Sequence, residues 1–260
     1  MRNKTQRNWS KEEFLIVLNL YFKLPFGKMH SRNNEVIETA NLIDRTPNSV
    51  AMRLVTFASV DPYHKNRGIK GLSGGKRQCE LIFNEFVNDR ENLVFETEKI
   101  IATKEFTTIE NKFDILLGVG WQLKQGEDKI LELKTRVNQN YFRQIVLSNY
   151  NLKCAISSID LPEILIAAHI MPWATNQSER LNPENGICLA NLYEKSFDVG
   201  YFGINSDYKI ILSPVLKLKS TKEYYYEVFG KYEQQTINLP EKYLPNVQFL
   251  NYHLNEIFKH

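Results

Sequence analysis

The chain has 260 residues, 43% of them hydrophobic and 24% charged, and a net charge of +3 at neutral pH. That length and apolar share allow one large or two modest domains with cores of their own, and two are expected. So mild a basic excess does not require a nucleic-acid partner, and no apolar run of about 18 residues is present to form a membrane span.

The first eight residues are polar and carry Arg2, Lys4 and Arg7, with no apolar core that would serve as a signal sequence. Ser10-Lys11-Glu12-Glu13 then forms a capping box, in which the hydroxyl accepts from an early helical N–H and the glutamate reaches back. Phe14, Val17, Leu18 and Tyr21 follow at helical spacing and predict one apolar face, with the helix ending at Leu24-Pro25-Phe26-Gly27. A second helix is expected over Asn34 to Leu42. A third is marked by Thr46 as cap, Pro47 at the first turn, and Val50, Leu54 and Phe57 on one side, with Asn48, Ser49, Met52 and Arg53 on the other. Three short helices opening on Trp9-Ser10-Lys11-Glu12-Glu13 and closing on Arg45-Thr46-Pro47-Asn48-Ser49-Val50 resemble the Myb-like or helix-turn-helix class. That resemblance implies DNA contacts from Arg45, Asn48, Ser49 and Arg53.

Between Tyr63 and Arg77, the side chains His64, Lys65, Arg67, Lys70, Lys76 and Arg77 alternate with four glycines, which reads as a basic loop. Glycines let a backbone approach a phosphate and cations neutralise it, so Lys65, Arg67, Lys70, Lys76 and Arg77 are candidate DNA contacts; a solvated turn is the alternative. The glycines are not spaced as a Walker loop. A helix is expected from Gln78 to Asn88, then a connector with a strand or two from Glu91 to Gln125. From Asn138 the pattern is helical again, with Tyr141, Phe142, Ile145 and Val146 apolar and Arg143 exposed.

Leu161-Pro162-Glu163-Ile164-Leu165-Ile166 leads into Ala167-Ala168-His169-Ile170, a short apolar run suited to a strand that ends on a histidine. Leu181-Asn182-Pro183-Glu184-Asn185-Gly186 is a turn, Ile187-Cys188-Leu189-Ala190 a return strand, and Asn191 to Phe197 a short helix. The product is a ββα arrangement. The ordered series Tyr141-Phe142-Arg143, Cys154-Ala155-Ile156, Ala168-His169-Ile170, Pro172-Trp173, Arg180-Leu181-Asn182-Pro183, Asn185-Gly186 and Phe197-Asp198, spanning roughly residues 138–213, resembles the HNH family found in restriction-type endonucleases.

That resemblance implies phosphodiester hydrolysis with one Mg²⁺-like ion, His169 as general base and Asn185 as the residue that positions it. A neutral imidazole suits the task, since its ordinary pKa of about 6.5 leaves it mostly unprotonated near pH 7. The chain departs from the family where a ligand often precedes the base, here Ala168, and where a histidine often sits in the final helix, here Tyr193-Glu194. Hard cations accept carboxylate oxygens, so Glu194 and, one turn on, Asp198 are the candidate ligands. Arg180 is a candidate phosphate clamp, with a salt bridge to Glu179 or Glu184 as its alternative.

Cys79, Cys154 and Cys188 lack C-x-x-C spacing, which argues against disulfides and structural zinc and fits a reducing cytoplasm. Asp114 with Glu132-Leu133-Lys134 meets a loose pattern of another nuclease class, but the polar run Gln125 to Lys129 does not suit the strand that class needs. Tyr224-Tyr225-Tyr226 is expected in a strand, and His253 in a terminal helix from Val247 to Phe258, packing rather than catalysing.

The expectation is an α+β protein: a helical DNA-binding domain (1–95), a connector with short strands (96–137) and a ββα-metal nuclease domain (138–260). It would cut double-stranded DNA in a restriction or defence setting, with Mg²⁺ or Mn²⁺, as a homodimer, in the cytoplasm and away from membranes. A non-catalytic DNA-binding regulator with a degenerate nuclease fold is the alternative.

Overall fold

The computed structural model describes residues 7–70, 74–117, 126–240 and 242–260. The chain divides into two compact units, Met1–Tyr141 and Phe142–His260.

Every regular element among the described residues of the N-terminal unit is a helix: α1 (Lys11–Lys23), α2 (Asn34–Leu42), α3 (Pro47–Val60), α4 (Pro62–Asn66), α5 (Lys76–Phe86), α6 (Arg90–Lys104), α7 (Ile109–Leu117) and the first part of α8 (Gly126–Asn149). The caps sit where the side-chain chemistry puts them. Ser10 Oγ accepts from Glu13 N while Glu13 Oε2 accepts from Ser10 N, and Thr46 Oγ1 accepts from Ser49 N ahead of Pro47. Helix α1 is more than amphipathic: Glu13 through Phe22 are all buried, because α2, α3, α5 and α6 surround it. A helix enclosed on every side is apolar on every side, and each fully buried Leu or Phe contributes about 1.5–3 kcal/mol.

Two expectations are corrected here. The stretch from Glu91 to Gln125 holds helices α6 and α7 and, among the described residues, no strand. Its apolar residues Leu93, Val94 and Ala102 recur at helical rather than alternating spacing, behind an Asp89 cap that accepts from Asn92 N. The supposed basic loop is also partly helical, since α4 takes residues 62–66 and α5 begins at Lys76; His64 is buried, whereas Lys65, Arg67, Lys70, Lys76 and Arg77 are exposed.

The C-terminal unit begins with the last two turns of α8. Strands β1 (Leu165–His169) and β2 (Gly186–Ala190) pair antiparallel in the register Leu165↔Ala190 to His169↔Gly186. Helix α9 (Asn191–Asp198) follows β2 directly and packs on both strands, giving the ββα unit. It stops at Gly200, whose φ of +76° suits glycine and whose N–H reaches the Phe197 carbonyl at 2.9 Å. A Cβ at Gly200 would stand 2.1 Å from the Ile257 carbonyl oxygen, so no other residue fits there without moving backbone.

Strands β3 (Phe202–Ile204) and β4 (Ile210–Leu212) form a second antiparallel pair, followed by α10 (Pro214–Lys217), α11 (Glu223–Val228) and α12 (Val247–Glu256), the last packed on β3. Tyr224-Tyr225-Tyr226 thus lies in a helix rather than the expected strand. Context overrides strand propensity there: Tyr193 donates its hydroxyl to the Val228 carbonyl at 3.1 Å and sets its ring edge against Phe229, anchoring the helix end. No helix among the described residues is long and apolar enough to cross a membrane.

Candidate active site

His169 is the last residue of β1, and its ring is held from three directions. One face stacks on Phe142 of α8, centroids 3.8 Å apart and planes 12° from parallel; Trp173 stands edge-on at 5.3 Å; and Nε2 lies 3.1 Å from the carbonyl oxygen of Arg180. A carbonyl can only accept, so Nε2 carries the hydrogen and the neutral ring keeps its lone pair on Nδ1. That Nδ1 has no partner among the described residues and is not shut off from solvent. Burial lowers the imidazole pKa below its ordinary value, against the opposing pull of the Arg180 carbonyl. The ring is therefore neutral near pH 7, with its basic nitrogen outward.

Asn185 makes no hydrogen bond to the imidazole among the described residues. Its side chain is 2% exposed and makes a two-way clamp on the chain just past the histidine: Oδ1 accepts from Met171 N at 2.8 Å and Nδ2 donates to Met171 O at 3.1 Å. Nδ2 also reaches Glu179 O at 3.4 Å, and the Asn185 carbonyl accepts from Ile170 N at 2.9 Å. The two ends of the 171–185 loop are thereby joined, and His169 is fixed through its backbone. Gly186, opposite His169 in the hairpin, is needed for a different reason: a Cβ there would meet Val146 Cγ2 at 2.4 Å and Phe142 Cζ at 2.9 Å. The missing side chain lets α8 come close enough for Phe142 to reach the histidine.

Arg180 has two roles in one residue. Its carbonyl orients His169, while its Nε donates to Trp173 O at 2.9 Å and its guanidinium carbon lies 5.1 Å from the Trp173 ring centre. Neither alternative salt bridge forms: Glu179 accepts from Asn182 Nδ2 at 2.7 Å, and the Glu184 carboxylate lies 3.5 Å from Asn246 Nδ2. The Nη groups of Arg180 have no hydrogen-bond partner among the described residues. Phe142 and Arg143 were not identified as site residues from the sequence. Arg143, expected on the surface, is half-buried and donates to the carbonyls of Leu165 at 2.5 Å and Pro162 at 3.1 Å, pinning the start of β1. Their sequence signal was their place in Tyr141-Phe142-Arg143, the piece that opens the HNH-like series.

Glu194 and Asp198 lie one turn apart on α9, close enough for each to shift the other's ionisation. Burial raises both carboxyls, and for Glu194 the neighbouring Asp198 charge adds to it, so the two hold a proton between them more readily than separate carboxylates would. Ala168 is buried and offers no donor, and Tyr193 points into the core against Phe229 and Tyr232. Among the described residues no group of three or more His, Cys, Asp or Glu side chains converges. The residues that could hold a cation on this helix are these two carboxylates, oxygen donors of the kind a small hard cation accepts while keeping several of its waters.

In the N-terminal unit the expected DNA contacts separate. Arg45 is only 8% exposed, and its donors are spent inside: on both Glu13 oxygens at 3.2 and 2.8 Å and on the carbonyls of Arg7 and Asn8 at 2.9 and 2.8 Å. Burial raises the Glu13 carboxyl, but these bonds, the Ser10 N–H and the charges of Arg45 and Arg7 outweigh it and hold it below its ordinary value. Asn48, Ser49 and Arg53 line a cleft, described below. Glu132-Leu133-Lys134 sits in helix α8 rather than in the strand the other nuclease class needs, and Lys134 donates to Asn92 at 3.0 Å.

No curated protein matches the chain. Residues 154–205, which contain His169, Arg180, Asn185, Glu194 and Asp198, match the family model of an HNH endonuclease, which supports nuclease activity in general with DNA as the substrate class.

Proposed function

We propose that this chain is a metal-dependent HNH-type endonuclease that hydrolyses phosphodiester bonds of double-stranded DNA, in a bacterial restriction or defence setting. The observation that carries the proposal is the state of His169: neutral, its Nε2–H spent on the Arg180 carbonyl, its Nδ1 open. In the reaction Nδ1 takes a proton from water as the water oxygen bonds to phosphorus. The bond to the 3′ or 5′ oxygen breaks, and that oxygen leaves with a proton from solvent. The Arg180 carbonyl bond strengthens as the ring becomes cationic. Asn185 acts as a positioning residue through Met171. The Nη groups of Arg180 would take two oxygens of the scissile phosphate. A Mg²⁺ or Mn²⁺ ion on Glu194 and Asp198 would supply charge stabilisation at the leaving oxygen. Cutting both strands at one place calls for two copies of the site, hence a dimer on DNA.

The test is nicking of supercoiled plasmid with Mg²⁺ or Mn²⁺ by wild type and by His169→Ala. Loss in the variant by about 10²–10⁴-fold supports the base assignment. Cleavage by neither, with DNA still bound, establishes the second reading, a DNA-binding regulator without catalysis. That reading is favoured by one observation: Ala168 and Tyr193 place no metal ligand beside the carboxylate pair.

A further inference from the structure

The N-terminal unit has a cleft of about 840 Å³ at the head of α3, lined among others by Trp9, Asn48, Ser49, Met52, Arg53 and Gly75. A helix that reads a DNA groove stands proud of its surface in order to enter it, whereas Asn48, Ser49 and Arg53 line a depression. The volume falls in the range of sites for single small molecules, about 300–1,000 Å³.

Its charge is one-sided. Three arginines, Arg7, Arg45 and Arg53, line it, and among the described residues no carboxylate does. Glu13 lies behind and pairs with Arg45 at 2.8 Å and Arg7 at 2.6 Å. Arg53 is different: its guanidinium lies 4.7 Å from the Trp9 ring centre and 5.0 Å from that of Phe14, its Nη1 is 3.6 Å from Cys79 Sγ, and its buried Nε has no hydrogen-bond partner among the described residues. It makes no ion pair among the described residues. A half-buried guanidinium packed on rings, without a counter-charge, is a site for an anion. Above it the α3 N-terminus has no acidic residue in its first turn, and Met52 leaves an apolar surface 50% exposed at the rim.

An anion seat beside apolar walls and the amide and hydroxyl of Asn48 and Ser49 matches one kind of ligand, a phosphate joined to a planar, hydrogen-bonding ring. We infer that the cleft takes a single nucleotide of the DNA, its phosphate on Arg53 and its base against Met52, extruded from the stack. The inference rests on DNA being the partner. Extrusion costs least where a base is mismatched, so such a duplex should bind best.

The test is fluorescence anisotropy with the full chain in EDTA, using a labelled duplex with one central mismatch and its fully paired twin, and the variants Arg53→Gln and Met52→Glu. Met52 is half-exposed, so its variant tests the cleft even if Arg53→Gln fails to fold. The expected result is binding about 10-fold tighter to the mismatched duplex, with that preference lost in both variants. Competition by free deoxynucleoside monophosphates at micromolar concentration would overturn the strand assignment in favour of a free nucleotide. Equal affinity for both duplexes in all proteins, without such competition, would overturn the nucleotide site itself. Because metal is chelated, the outcome is independent of the nicking assay, and absence of cleavage with an intact mismatch preference would count against the nuclease reading alone.

Discussion

His169 and His253 are set in nearly the same frame and left in opposite states of access. Each ring stacks on a phenylalanine, His169 on Phe142 at 3.8 Å and His253 on Phe197 at 3.6 Å, and each gives its Nε2–H to a backbone carbonyl, of Arg180 at 3.1 Å and of Phe197 at 3.0 Å. The difference lies at the other nitrogen. His253 is 1% exposed and its Nδ1 is buried without a hydrogen-bond partner among the described residues, while the Nδ1 of His169 is open. Stacking plus a carbonyl is thus only a way of holding a neutral ring still. Whether the ring packs or reacts is decided by what stands in front of the second nitrogen, and strand end versus helix interior settles that.

The widest separation between the two should appear in cleavage. His169→Ala is expected to lower plasmid nicking by about 10²–10⁴-fold, which is about 3–5 kcal/mol of barrier, while His253→Ala leaves the rate per folded molecule unchanged. Equal losses in rate would erase the contrast. In thermal or urea unfolding the order reverses: removing the enclosed His253 ring should cost about 2–5 kcal/mol, and removing the half-buried His169 ring clearly less.

Titration sharpens the same contrast. Burial pushes His253 down to about 4, against an unfolded value near 6.5. Between those values the unfolded chain binds more protons, so stability falls as pH falls, by up to about 3 kcal/mol, with the whole loss incurred below pH 4. The slope should flatten in His253→Ala; an unchanged slope would assign it to other groups. For His169 the lowered pKa acts on rate: only the neutral ring serves as base, so nicking should hold down to below pH 6.5 and then fall with pH. A rate already falling well above that value would contradict the site's electrostatics.

The smallest effect concerns the clamp. Asn185→Ala leaves the Met171 N–H and carbonyl unpaired in a buried place, at a cost of about 1–3 kcal/mol in stability. Nicking should fall by less than in His169→Ala, with KM little changed, because the base persists but is poorly held.

The local chemistry of the fold was readable in the chain. Ser10 and Thr46 cap where their hydroxyls predict, α2 runs from Asn34 to Leu42, and the run into His169 and the turn before Gly186 make a hairpin with these two residues opposite each other. What escaped depends on partners distant in sequence. Nothing local says that Phe142 will lie under His169, that Arg143 will hold carbonyls of the β1 approach, or that Arg45 will turn inward to Glu13, 32 residues earlier. The helices in place of strands after Glu91, and around Tyr224, show the same limit from the side of propensity: short apolar runs fit both periods until packing chooses.

The bonds that hold the loop after His169 end on main-chain atoms: Met171 N and O, Glu179 O and, for the histidine itself, Arg180 O. Every residue type possesses such atoms. The side chains of Ala174, Thr175, Asn176 and Ser178 make none of these bonds; Ser178 bonds to Asn176 and Glu179 instead. An evolving lineage, or an engineer, could exchange them to alter the surface beside the proposed point of cleavage while the open imidazole nitrogen stays where it is.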